Sequence, residues 1–140
     1  MKDSSFTILH ADDDLDDLFI INSLFHKYAD QVTIQHATDG EQALVTLERM
    51  KQNNDLPCLI ILDVNMPRLN GRETLLQIKS RDELKDIPVV LFTTSNSETD
   101  KAFAEEYAAD LITKPITVEK MEDVVSDFVR RCQLERAKKA

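Results

Sequence analysis

Five polar positions stand out in this sequence because each directly follows an apolar stretch. Asp12 and Asp13 follow Phe6-Thr7-Ile8-Leu9-His10-Ala11, and Asp63 follows Leu59-Ile60-Ile61-Leu62. Thr93 ends Pro88-Val89-Val90-Leu91-Phe92, and Lys114 ends the short run Asp110 to Thr113. Three carboxylates brought to one place repel each other, so a hard divalent cation or a lysine is needed to keep them ionised. A hydroxyl and an ammonium facing those carboxylates are donors suited to the oxygens of a phosphoryl group. Taken singly, each residue has an ordinary reading: a capping or turn acid, a solvated lysine, a capping threonine. The order Asp-Asp, Asp, Thr, Lys is specific only in combination.

The elements that would position them alternate. Four consecutive aliphatics before Asp63, and the apolar run before Thr93, suit central strands of a parallel sheet covered on both faces. Val32 to Ala37 alternates in period two as a further strand. Between the strands lie helical patterns: Leu15, Leu18, Phe19, Asn22, Phe25 and Tyr28, with Ile21 and Leu24 widening the apolar face; Ala43, Leu44, Leu47 and Met50; Leu75, Leu76 and Ile78; and a helix from about Ser97 to Tyr107. Thr117 reads as the cap of a last helix with the stripe Val118, Met121, Val124, Val125, Phe128 and Cys132. Asp39-Gly40 and Asn70-Gly71 read as turns. Five strands alternating with five helices imply a doubly wound α/β sheet with right-handed crossovers. Such sheets bind ligands beyond the carboxyl ends of their strands, where all five polar positions fall. The neighbouring acids Asp14, Asp16 and Asp17 have a simpler explanation, at the positive end of the first helix.

Composition narrows the function. The 140 residues suit one domain, with a core over about 6–132 and a short basic tail over 133–140. Acidic residues outnumber basic ones 26 to 17, for a net charge of −9, which argues against nucleic acid and against an anionic membrane surface. No apolar run approaches a membrane span and no leader is evident. Cys58 and Cys132 lack metal-ligand spacing and read as reduced, buried thiols of a cytoplasmic protein. With only Gly40 and Gly71, there is no glycine-rich phosphate cradle.

Asp12-Asp13, Asp63 with Asn65-Met66-Pro67 and Gly71, Thr93, and Lys114-Pro115 together make the chain resemble the receiver domain of two-component response regulators. The loop Met66 to Gly71 and the run Pro88 to Ser95 resemble the stand-alone receivers that partner bacterial phytochromes. The resemblance implies a flavodoxin-like (βα)5 fold with strand order 2-1-3-4-5, and no output domain. It makes Asp63 the phosphoryl acceptor and Mg²⁺ the cofactor, held by Asp13, Asp63 and the backbone carbonyl of Asn65, with Asp12 acting mainly through water. Lys114 would pair with a phosphoryl oxygen, and Thr93 would move to donate its hydroxyl to another. The Lys114-Pro115 bond is expected to be cis. The implied phosphodonor is a sensor histidine kinase or a histidine phosphotransfer protein. The signal would leave through a downstream protein target or through a weak or phosphorylation-dependent homodimer, on the face running from the Ser97 helix to the Thr117 helix.

Two positions depart from the family pattern: Leu111 stands where an aromatic is usual, and Ile116 where a Phe usually follows Lys-Pro. A leucine cannot reproduce the inward turn of a Tyr ring, so the expectation is that Thr93 and the loop Thr94 to Glu98 carry the switch. Two rival readings are a metal-dependent phosphatase with an aspartyl nucleophile and an unphosphorylated receiver-like scaffold. The phosphatase needs a general acid two residues after its nucleophile, where this chain has Asn65.

Overall fold

A computed structural model describes residues 6–94 and 97–139, with the backbone alone for 136–139. The elements are β1 (Phe6–Ala11), α1 (Leu15–Phe25), a short 3-10 turn (His26–Tyr28), β2 (Val32–Ala37), α2 (Gly40–Gln52), β3 (Leu59–Asp63), α3 (Gly71–Lys79), β4 (Val89–Thr93), α4 (Glu98–Glu106), β5 (Asp110–Thr113) and α5 (Val118–Lys139). The five strands form one sheet in the order β2-β1-β3-β4-β5, every neighbour parallel. The alternation of patterns implies the doubly wound parallel sheet, and its flavodoxin-like order is the one the family resemblance implies.

Strand periodicity divides the core in two, because successive side chains point to opposite faces. Leu9, Ala11, Ile60, Leu62 and Leu91 face Ala43 and Leu47 of α2, Leu75 and Ile78 of α3, and Ala104 of α4. Ile8, Ile61, Val90 and Phe92 face Ile21 and Phe25 of α1 and Met121, Val125, Phe128 and Val129 of α5. Every residue of β3 and β4 is buried, which is why those strands read as continuous apolar runs.

The helices begin on polar caps set just after the strands. Asp14 accepts from the N–H groups of Asp16 and Asp17, Asp39 from Gln42, Ser97 from Asp100, and Thr117 from Lys120. Asn70 and Glu73 form a reciprocal capping box at α3, satisfying two otherwise orphaned donors. Gly71 is required by close approach: a Cβ there would lie 2.2 Å from the Asp63 carbonyl oxygen. The start of α3 is thereby held against the end of β3, with the Gly71 N–H donating to the Val64 carbonyl at 2.9 Å.

Three expectations are corrected. Leu15, Phe19 and Val118 are exposed rather than on buried stripes. The buried face of α1 is set by Leu18, Ile21 and Phe25, and Phe19 lies one residue off that line. Cys58 and Cys132 form a disulfide instead of two thiols. The fold sets Cys58 just before β3 against the inner face of α5, with the two Cα atoms 5.2 Å apart, a closeness that a sequence separation of 74 conceals. None of the described peptide bonds is cis, so Lys114-Pro115 is trans, and the lysine reaches the strand ends without the cis geometry. The basic segment after residue 132 continues α5 to Lys139. Among the described residues no helix is long and apolar enough to cross a membrane.

Candidate functional site

The carboxyl ends of β1, β3, β4 and β5 meet at one edge of the sheet, and their terminal residues form the site. Asp12 is wholly buried, where an unpaired carboxylate would be costly. Its Oδ1 accepts from the Asp14 N–H at 2.9 Å, and its Oδ2 from Lys114 Nζ at 2.8 Å. Lys114 comes in from the end of β5, where its backbone N–H donates to the Thr93 carbonyl at 2.7 Å. Its ammonium also bonds Asp17 Oδ2 at 2.7 Å, and stands 3.6 Å from Asp63 Oδ2 and 5.7 Å from the centre of the Phe92 ring.

Asp63, Asp12 and Asp13 each offer a carboxylate oxygen, all within 4.8 Å of one another. Asp13 is exposed, while Asp63 and Asp12 are buried. The Asn65 N–H lies 3.4 Å from Asp63 Oδ1, a long contact. Thr93 is buried at the end of β4, in register with Thr113 of β5. All the acceptor and ligand candidates named from the sequence are thus brought to one edge. Leu111 is half-buried against the α2–α3–α4 side of the core, and Ile116 is fully exposed. Of the loop expected to carry the switch, Ser95 and Asn96 lie outside the described residues.

The loop beneath Asp63 is tied to the next helix over. The Gly40 N–H donates to the Leu69 carbonyl at 2.9 Å, and Arg68 Nε lies 3.4 Å from Asp39 Oδ2. Arg68 adopts the left-handed region with φ of 62°, uncommon for a residue with a Cβ.

The charges are unevenly balanced. Burial and the Asp12 carboxylate push Asp63 up to about 7, and the pull of Lys114 and the Asn65 N–H does not offset them. Burial also works against the Asp12 charge, but the nearby His10 and Lys114 side chains and the Asp14 N–H hold it down at about 2. Burial disfavours the Lys114 ammonium, yet its bonds to Asp12 and Asp17 raise it above the ordinary lysine value. One lysine is therefore too little positive charge for this cluster. An all-oxygen donor set of three carboxylates, short of positive charge, fits a hard divalent cation such as Mg²⁺.

Two participants were not singled out from the sequence. Asp17 was assigned to the helix end, but it also holds Lys114. A signal was present: Asp17 lies four residues before Ile21 and so on the inward side of α1. His10, fully buried beneath the site, has its Nε2 3.8 Å from Asp12 Oδ2. Its position in β1 alternates with Ile8, which places it on the α1–α5 side.

The sequence model of the family described as "Response regulator receiver domain" matches residues 8–126. The probable methanogenesis regulatory protein FilR2 of Methanothrix harundinacea is 32% identical over 126 residues, covering 88% of this chain and 81% of that protein. The crystal structure of the phosphorylated cyanobacterial phytochrome response regulator RcpA superposes with a TM-score of 0.81 at 29% identity, over 89% of this chain and 91% of that one. The Mn²⁺-bound form of the response regulator Rcp1 gives 0.74 at 29% identity, over 86% and 88%. Rcp1 of Synechocystis is 45% identical over a segment of 64 residues, 44% of each chain.

Proposed function

The chain belongs to the response regulator receiver-domain family, and we propose that it acts as a response regulator that accepts a phosphoryl group on Asp63. The donor in this reading is the phosphohistidine of a sensor histidine kinase or a histidine phosphotransfer protein. The observation that carries it is the position of Asp63: at the end of β3, within 4.8 Å of Asp12 and Asp13 and 3.6 Å from Lys114. A phosphorylated relative at 29% identity and a Mn²⁺-bound one at 29% support the same assignment.

An oxygen of the Asp63 carboxylate attacks phosphorus as the P–N bond to the donor imidazole breaks. The electron pair leaves on the imidazole nitrogen, and the product is an acyl phosphate. Asp13, Asp63 and the Asn65 carbonyl would hold Mg²⁺, with Asp12 acting mainly through water; the ion would neutralise carboxylate and phosphoryl oxygens. Lys114 pairs with one phosphoryl oxygen as a point charge, and Thr93 turns its hydroxyl to another. Asn65 has no proton to give a leaving group, so the chain turns over only its own acyl phosphate and is not a phosphatase of other substrates. The presence of every acceptor group likewise disfavours an unphosphorylated scaffold.

The reading extends to a cytoplasmic location and to output through α4, β5 and α5, by a weak or phosphorylation-dependent homodimer or a downstream protein. Ile116 and Val118, exposed where β5 passes into α5, give that face apolar contacts. Incubation with a small acyl-phosphate donor and Mg²⁺ tests the central claim. One phosphoryl group should be added, and it should be lost in Asp63→Asn and on chelation of the metal. Undiminished labelling of Asp63→Asn would overturn the assignment.

A further inference from the structure

His10 is fully buried, and among the described residues neither of its ring nitrogens has a hydrogen-bond partner. Buried polar atoms are seldom left unpaired, because each carries an unrecovered desolvation cost. An apolar side chain would fill this position of β1 without that cost. The ring is also not aimed at random. Its Nε2 lies 3.8 Å from Asp12 Oδ2, too far for a hydrogen bond, and that is the oxygen to which Lys114 donates at 2.8 Å. On its other side the ring meets His36, its in-register neighbour on β2, edge to face with centroids 6.3 Å apart. A histidine with an idle donor therefore stands beside a carboxylate oxygen occupied by another group.

Lys114 is shared among acids, and a phosphoryl group on Asp63 places new anionic oxygens beside its ammonium. As the lysine turns to them, it gives up Asp12 Oδ2. Asp12 is fully buried, and a buried carboxylate oxygen that loses its donor carries a desolvation cost. We infer that His10 is a positioning residue for the phosphorylated state, its Nε2–H closing onto Asp12 Oδ2 as Lys114 leaves. The closure needs a shift of only about 1 Å to reach ordinary hydrogen-bond length. It needs only a hydrogen on Nε2. The missing bond of the resting protein is thus regained in the phosphorylated one, and the cost of the idle histidine biases the switch toward phosphorylation. This inference rests on Asp63 as the phosphoryl acceptor.

Beryllofluoride, a phosphoryl mimic, with Mg²⁺ separates the two ideas. Wild-type protein, His10→Leu and His10→Gln are compared for thermal stability without ligand and for beryllofluoride affinity. His10→Leu should melt at or above the wild-type temperature yet bind beryllofluoride about tenfold more weakly, the loss of one hydrogen bond to a charged group. His10→Gln, which keeps a donor, should recover most of that affinity. In wild type, the His10 imidazole should show a hydrogen-bonded Nε2 proton by NMR only after beryllofluoride is added. Equal affinity of His10→Leu and wild type would overturn the inference, as would a weakening matched by an equal loss of ligand-free stability. Failure of wild type itself to bind beryllofluoride would instead overturn the acceptor reading of Asp63, and the inference with it.

Discussion

Lys114 is hydrogen-bonded to Asp12 and not to Asp63: its Nζ lies 2.8 Å from the one carboxylate and 3.6 Å from the other. Asp63 is thereby left undercompensated, with its pKa raised from 3.8 to about 7 by burial and the Asp12 charge. An acid that holds its proton more tightly folded than unfolded stabilises the fold at low pH and loses that contribution as pH rises. For Asp63 the window runs from about 3.8 to about 7. Without metal, Asp63→Asn should therefore melt above wild type at pH 8, by roughly 2–4 kcal/mol, with the gap narrowing toward pH 5. Added Mg²⁺ should close the gap at pH 8 by stabilising wild type alone. Asp12 works in the opposite sense: its pKa is lowered, so its contribution is lost only as pH falls from 3.8 toward 2. Thermal melts of both proteins across pH, with and without Mg²⁺, check this.

Gly71→Ala should be costly for steric reasons. Its backbone is not in the left-handed region, so the expected penalty comes from a Cβ forced to 2.2 Å from the Asp63 carbonyl and 2.8 Å from the Val64 Cα. Overpacking of this kind costs about 1–3 kcal/mol. Because the displaced atoms belong to Asp63, the proposed acceptor, and its neighbour Val64, labelling of Asp63 should slow as well. Urea unfolding and labelling rates on the same preparation measure both effects.

Reducing the Cys58–Cys132 bond should lower stability by roughly 2–4 kcal/mol, since it frees a long loop in the unfolded chain. Labelling should be unaffected, because Cys58 precedes β3 while Asp63 ends it. Calorimetry and labelling with and without dithiothreitol check the two halves. Since disulfides are rare in reducing compartments, mass spectrometry of rapidly alkylated cells would show whether the bond exists in the cell.

The self-association proposal predicts a larger sedimentation coefficient with beryllofluoride and Mg²⁺ at high protein concentration. Ile116→Ser should reduce it without changing labelling of Asp63, since that side chain is fully exposed. A single monomeric species under every condition would remove the homodimer from the reading.

Much of the architecture was legible because the buried strands are short, uniformly apolar and followed at once by polar residues. β3 and β4 could be bounded to within a residue, and the alternation with helices implied parallel strands, while their order came from the family resemblance. Asp12, Asp13, Asp63, Thr93 and Lys114 were found together because strand ends in such a sheet converge. What was not legible depends on partners distant in sequence. Asp17 looked like a helix-end acid, and only the path of Lys114 across 97 positions reveals its second bond. The disulfide needed the packing of α5 on the sheet. His10 looked like one more residue of an apolar strand, because sequence does not show whether a buried donor finds an acceptor. Leu15 and Phe19 were misplaced because helical periodicity marks a stripe more readily than its edges.

The disulfide also has a topological consequence. It closes a ring from Cys58 to Cys132 that contains Asp63, Thr93 and Lys114, whereas Asp12 and Asp13 sit on an open arm outside it. That arm includes β1, which lies between β2 and β3 in the sheet. A single cut in the ring, for example between β4 and α4, leaves one covalent molecule. A cut between β1 and β2 instead releases the strand that carries Asp12 and Asp13. Asp63, Thr93 and Lys114 are thus linked twice over, and the two remaining acids are linked to them by a single thread of backbone.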